Sequence, residues 1–160
     1  MPSSVANVLV GVCSVKFDDV DLGWTSDGVT MTVTSELFDV KVEEVIGVLD
    51  RVVTDQSVAV ALNMAEGTLT NMSTAIPGSV LDSVANTLTV GGGALQSGTL
   101  TLVGKNPAGK NRTIDFHKVN PTGEVGVPYK KAEISIVPVT FSALVNPADG
   151  KFLTVTDATT

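Results

Sequence analysis

Apolar and polar residues alternate with a period of two through much of the first half of the chain. At positions 29–34 valine and methionine hold the odd positions and threonine the even ones, and a similar alternation returns at positions 57–64. A period of two places alternate side chains on opposite faces of a β-strand, so both stretches predict strands with one buried face. The chain is therefore restricted to folds in which β-sheet supplies the core.

The alternation changes parity after Ser35 and Glu36. Beyond these residues the apolar positions are even, at Phe38, Val40 and Val42. A change of parity within a continuous strand pattern predicts a β-bulge or a sharp bend at this point.

The segment between the two alternating stretches, residues 42–56 (VEEVIGVLDRVVTDQ), is unusually apolar for a hairpin loop. Four aliphatic residues surround its glycine, namely Val45, Ile46, Val48 and Leu49 around Gly47. Polar, turn-forming residues are usual in this position, so we predict that another part of the structure covers the loop. Either another subunit buries these residues, or the loop folds back on its own core.

One helix and several further strands are predicted after this region. Apolar residues at helical spacing (Ala65, Leu69, Met72 and Ile76) precede a Pro77-Gly78 stop. Short strands are predicted around residues 87–90, 100–102, 114–116, 134–141 and 152–156. The pattern predicts a mainly β fold, an antiparallel β-sandwich or partly closed barrel with one short flanking α-helix, in a single domain over residues 1–160.

Three local features carry more specific expectations. Residues 20–27 are interpreted as a loop, in which Trp24 is either a lid over the core or a contact to a neighbouring subunit. The NPTG sequence at residues 120–123 predicts a turn. Pro138 predicts a strand edge or a bulge, because proline lacks the N–H that a sheet ladder needs.

Composition favours a chain whose surface meets other proteins. Only 17% of its residues are charged and 4% are aromatic, which leaves little charge to solvate a monomer's surface. The net charge of −7 and the absence of a basic cluster argue against a nucleic-acid reader. A β-rich monomer with a sequence heavy in valine, alanine and threonine is the alternative.

The sequence offers no residue set for catalysis, a cofactor or a metal. His117 is the only histidine and Cys13 the only cysteine, and no serine or cysteine lies in a nucleophile motif. A lone thiol with no histidine cluster forms no metal site. We expect neither an enzyme nor a cofactor. His117 is interpreted as a solvated strand histidine and Cys13 as a packing residue.

The order of elements resembles the major tail tube proteins of long-tailed, siphovirus-like bacteriophages. The resemblance lies in the order of four parts of the chain. A strand and a bend come first, and they are followed by DVKVEEVIGVLDRVVT (39–54), SVAVALNMAEGTLTNM (57–72) and KKAEISIVPVTFSALVNPADGKFLTV (130–155). It implies a structural virion protein whose hexameric rings stack into a hollow tail tube. The inner wall of that tube is a continuous β-barrel through which DNA passes without specific binding.

The resemblance also implies partners, a location and a contact. The partners are further copies of the chain and tape measure, tail terminator and baseplate proteins, with no membrane. The location is the virion tail, after assembly in the host bacterial cytoplasm. The candidate inter-ring contact comprises Glu43, Glu44, Val45, Ile46, Gly47, Val48, Leu49, Asp50 and Arg51, with the charged residues setting register.

Two alternatives stay open. The tube proteins of contractile tails and secretion systems share the ring architecture, and likeness of fold cannot separate them. A β-sandwich binding or adhesin module is the other class, and Trp24 and Tyr129 are its only obvious aromatic candidates.

Overall fold

The computed structural model describes residues 11–159, and these residues form a mainly β fold with one short helix, as predicted. The elements in chain order are β1 (Ser14–Phe17), β2 (Val20–Asp21), β3 (Thr25–Val40), β4 (Asp50–Met64), α1 (Leu69–Ala75), β5 (Ser79–Asp82), β6 (Thr87–Val90), β7 (Gly98–Lys105), β8 (Asn111–Thr122), β9 (Val137–Ala143) and β10 (Leu153–Asp157). No helix within this range is long and apolar enough to cross a membrane.

Eight of these strands form one antiparallel sheet, in the order β2-β1-β7-β8-β9-β4-β3 with β10 added beside β8. One edge of β8 is divided, because residues 112–116 pair with β10 and residues 119–122 pair with β9. Strands β5 and β6 form a separate hairpin. Among the described strands β2 and β3 remain edges, so the sheet is not closed into a barrel.

The core lies inside the curve of this sheet. Alternate residues of β4 are buried, from Val58 to Met64, and they face buried residues of β1, β7, β8 and β9. Phe17 of β1 stacks on Phe141 of β9 with 5.5 Å between ring centroids. These strands are not neighbours in the sheet order, so the contact shows that the sheet curls over its own apolar face.

The helix is shorter than predicted and buries a different side. Thr68 is its N-cap, and the Thr68 hydroxyl accepts a hydrogen bond of 3.2 Å from the backbone N–H of Asn71. Asn71 and Ala75 are its buried residues, whereas Leu69 is exposed. The Asn71 amide donates to the carbonyl of Leu22 at 3.0 Å, which ties the helix to the chain after β2.

Two local predictions were wrong. Residues 20–27 are not a loop, because they contain β2, the buried Leu22 and the start of β3. The segment 120–123 is not a turn, because β8 continues to Thr122 and the buried Pro121 pairs with Phe141. Beyond Val119 this strand has no pairing with β7, so a residue without an N–H is tolerated there.

The expectation for Pro138 is confirmed. Pro138 pairs with Asn63 of β4, whereas β8 begins to pair with β9 only at Thr140. The proline therefore lies on a local edge. The strand starts at Val137, later than predicted, and residues 134–136 precede it as irregular chain.

Candidate assembly surface

The strands β3 and β4 form a hairpin that extends well beyond the rest of the sheet. The two strands have 16 and 15 residues, but only Ala59 to Met64 of β4 pair with β9. The remaining part, residues 34–57, is a two-stranded ribbon that we call the distal hairpin. A two-stranded ribbon is at best marginally stable in water on its own, so it needs further packing on its faces.

The predicted bulge is present in this hairpin. Glu36 pairs with Asp55, but the next residue, Leu37, pairs with Val53, so Thr54 is an extra residue in β4. Because the extra residue is in β4, β3 keeps its own alternation through the bulge. The apolar residues of β3 therefore change from the face that continues the core to the opposite face.

As a result, the distal hairpin is apolar on both faces. Leu37 pairs with Val53, and the next pair along the ribbon is Phe38 with Val52. Successive cross-strand pairs point to opposite faces. All four side chains are exposed, with Leu37 at 57% and Phe38 at 60%. The ribbon therefore has two apolar faces that no part of the chain within residues 11–159 covers.

The tip of the hairpin is exposed as well. It spans residues 41–49 and is closed by a 2.8 Å hydrogen bond from the N–H of Leu49 to the carbonyl of Val40. Ile46 is fully exposed, at 107% of its reference area, and Val45, Val48 and Leu49 are exposed too. The alternative in which the loop folds back on its own core is therefore not what the structure shows. Burial by another subunit stays a prediction.

The charged residues near the tip divide into two groups. Arg51 donates from Nε to Asp39 Oδ1 at 2.7 Å across the ribbon, so its charge already has a partner within the chain. The described residues contain no ion pair that involves Glu43, Glu44 or Asp50. Residues 36–55 hold six carboxylates and two cations, a net charge of −4 out of the −7 of the whole chain.

A second surface lies on the sheet face opposite the core, where β3, β4, β9 and β8 are adjacent. The cross-strand pairs align two rows of small uncharged residues, Thr30-Ala61-Thr140-Thr122 and Thr32-Ala59-Ser142-Asn120. These side chains are exposed or half-buried. The threonines of β3 were visible in the sequence, but only the strand order shows that a hydroxyl-rich, charge-free face extends over four strands.

The remaining candidate residues do not form a site. The cleft beside His117 is lined by Asp115, Lys118 and two threonines, with no serine or cysteine among its described residues. Cys13 is half-buried at another place, and burial raises the pKa of its thiol, which makes it a poorer nucleophile. Trp24 is 81% exposed and so is not a lid over the core.

Comparison with known proteins gives likeness of fold without likeness of sequence. No protein-family model and no curated protein matches the chain. A solved chain from the sheath-tube complex of PVC, an extracellular contractile injection system, in its extended state is similar with a TM-score of 0.55 and 13% identity, over 92% of this chain and 89% of that one. A chain from the PVC sheath/tube terminator has a TM-score of 0.57 and 12% identity, over 93% and 96%.

At such identities these similarities show a shared fold and no more. Both solved chains belong to a contractile system. The order of elements in the sequence, in contrast, resembles the tail tube proteins of long-tailed, siphovirus-like phages. The fold does not separate the two kinds of assembly.

Proposed function

We propose that this chain is a structural subunit that assembles with copies of itself into stacked rings, which form the hollow tube of a tail or injection machine. The observation that carries the proposal is the distal hairpin, with exposed apolar pairs on both faces and a fully exposed Ile46 at its tip. Large exposed apolar surfaces of this kind mark protein interfaces. No catalytic role is part of the proposal.

The accessible area of the chain supports the same conclusion. A folded monomer of 16.5 kDa has an accessible surface of roughly 7,500 Å², whereas this chain exposes 10558 Å². Ten residues of unfolded chain expose at most roughly 1,500 Å², so residues 1–10 cannot account for the whole excess. This excess of exposed area is comparable with the area that a subunit buries against several neighbours.

The charge-free face of β3, β4, β9 and β8 is the surface that we assign to the lumen. It is too polar for a dry contact, and neither of its two rows of residues carries a charge. A wall without clustered cations releases no counterions from DNA and so does not retain it. The unpaired edge of β3 would join this face to the next subunit around a ring of six, as the family resemblance implies.

A non-contractile tail and a contractile machine are the two candidates for this assembly, and the shared fold does not separate them. In either case tape measure, terminator and baseplate proteins are the expected partners at the tube ends. The binding-module alternative rests on Trp24 and Tyr129, which are both exposed. Trp24 lines a groove to which Tyr129 does not contribute.

A label placed on the assigned lumen face tests this part of the proposal. The variant Thr32→Cys, in a Cys13→Ala background, would be coupled to a small gold cluster and assembled into tubes. Electron microscopy should then show density along the tube axis. Val84→Cys in the same background is the matched control, because Val84 is 93% exposed in the turn between β5 and β6. Density on the outer wall with Thr32→Cys would refute the lumen assignment.

A further inference from the structure

A second apolar surface of the chain lies in a groove between the start of β1 and the strands β3, β7 and β8. The groove has a volume of about 190 Å³ and is lined chiefly by the side chains of Cys13, Val29, Met31, Leu102 and Ile114. A cavity of roughly 150 Å³ admits an apolar group as large as benzene. This groove therefore has room for one large aliphatic side chain.

Two cations line this groove, and a third lies in the adjoining turn. Lys105 and Arg112 line it directly, and Lys110 lies between them in the turn from β7 to β8. Residues 105–112 contain these three cations and no carboxylate. Arg112 is held by a bidentate ion pair with Asp157, so this turn keeps a net charge of +2 after one of three cations is neutralised.

The lysines of this turn keep donors available for a partner. Lys105 donates from Nζ to Asn111 Oδ1 at 2.7 Å, and Lys110 donates to the carbonyl of Thr159 at 2.6 Å. Each ammonium has three N–H donors. Both lysines are exposed, and both acceptors are uncharged.

We propose that the tip of the distal hairpin of one copy binds in this groove of another copy, with Ile46 in the apolar pocket and Glu43 and Glu44 facing Lys105 and Lys110. The inference rests on the proposed self-assembly and names the surface that receives the hairpin. The two surfaces match in chemistry, since an apolar tip flanked by carboxylates meets an apolar groove flanked by lysines. The contact uses different surfaces on the two copies, so it propagates from copy to copy.

The native thiol of Cys13 in the groove makes a direct test possible. In Ile46→Cys each copy carries one thiol at the tip and one in the groove. Oxidation of assembled protein with copper phenanthroline should then give a ladder of covalent oligomers well beyond the dimer on a non-reducing gel. The double variant Ile46→Cys with Cys13→Ala should give dimers at most, and so should Val84→Cys with Cys13 retained.

An equal ladder from assembled Val84→Cys with Cys13 retained, or no ladder from assembled Ile46→Cys, would overturn this docking. If wild-type protein forms tubes and the ladder is missing, only the docking fails. If wild-type protein never assembles, the proposed function itself fails.

If Ile46→Cys does not assemble, charge-reversal variants test the same contact. Reversal of Glu43 and Glu44 to lysine should raise the concentration needed for assembly about threefold to tenfold, and reversal of Lys105 and Lys110 to glutamate should do the same. The two sets of reversals combined should restore assembly. Combined variants that assemble no better than either set alone would contradict the docking.

Discussion

Replacement of Ile46 and Val48 at the tip by aspartate should abolish assembly and leave the subunit folded. The perturbation is the double variant Ile46→Asp/Val48→Asp. Both side chains are exposed in the single chain, so the variant should retain native circular dichroism and a thermal midpoint close to that of wild type. Surface substitutions of this kind usually change the free energy of unfolding by less than about 0.5 kcal/mol.

The effect on assembly should be much larger. Burial of an isoleucine or valine side chain contributes about 1.5–3 kcal/mol, so loss of both removes about 3–6 kcal/mol from each subunit contact. Val48 is already partly covered, at 41% exposure, which places the value near the lower end. This corresponds to a roughly 100-fold to 10,000-fold weaker association, before any cost of burying the new carboxylates.

Light scattering and negative-stain electron microscopy, carried out beside the thermal melts, would measure this outcome. The control Val84→Asp/Val90→Asp adds the same charge on the β5–β6 hairpin, where both valines are exposed, and should still assemble. A tip variant that unfolds would mean that the loop packs in its own subunit's core, because two buried carboxylates cost several kcal/mol. A tip variant that assembles like wild type would refute the role of the tip.

Three further outcomes are expected. Cys13→Ala should still assemble in scattering assays, because alanine keeps the groove that receives Ile46 apolar and the thiol forms no bond that assembly needs; loss of assembly with the fold retained would reveal another role. Double-stranded DNA should bind weakly or undetectably at physiological salt in a filter assay, because the chain has a net charge of −7 and no basic stripe; sub-micromolar, salt-sensitive binding would contradict this. The Arg112 guanidinium lowers the pKa of Asp157, so the ion pair between β8 and β10 is complete above the ordinary aspartate value of 3.8 and is lost as the pH falls through the lowered value. Thermal melts of Asp157→Asn should therefore lose part of the acid sensitivity of wild type, and equal acid sensitivity would exclude a contribution from this pair.

Much of the sheet could be predicted because alternation and turn residues act locally. The parity change at Glu36 located the bulge, although it could not show that the extra residue is Thr54 in the partner strand. The turn after β9 also forms through a local contact, since the Asn146 side chain accepts a hydrogen bond of 3.1 Å from the N–H of Ala148.

The length of the hairpin could not be predicted, for a physical reason. The predicted loop of residues 42–56 is in fact a tip of residues 41–49, and β4 already begins at Asp50. Alternation marks strands with one buried face, but Val52 and Val53 lie on opposite faces of the ribbon and are both apolar. A strand with apolar residues on both faces does not show the alternation of apolar and polar residues by which strands are predicted.

Features that depend on tertiary contacts could not be predicted from the sequence either. The buried side of α1 follows from the amide of Asn71, which reaches the carbonyl of Leu22 from 49 positions away. The charge-free face that we assign to the lumen depends on the order β3, β4, β9, β8, in which β9 is far from β4 in the chain. No local pattern specifies such neighbours, because sheet order is set by long-range pairing.

Negative-stain electron microscopy of the purified wild-type chain over a wide concentration range tests the central claim most directly. The account predicts rings with six subunits, and tubes built from them, as the concentration rises. Particles that remain monomeric at every concentration, with and without tail assembly factors, would contradict it.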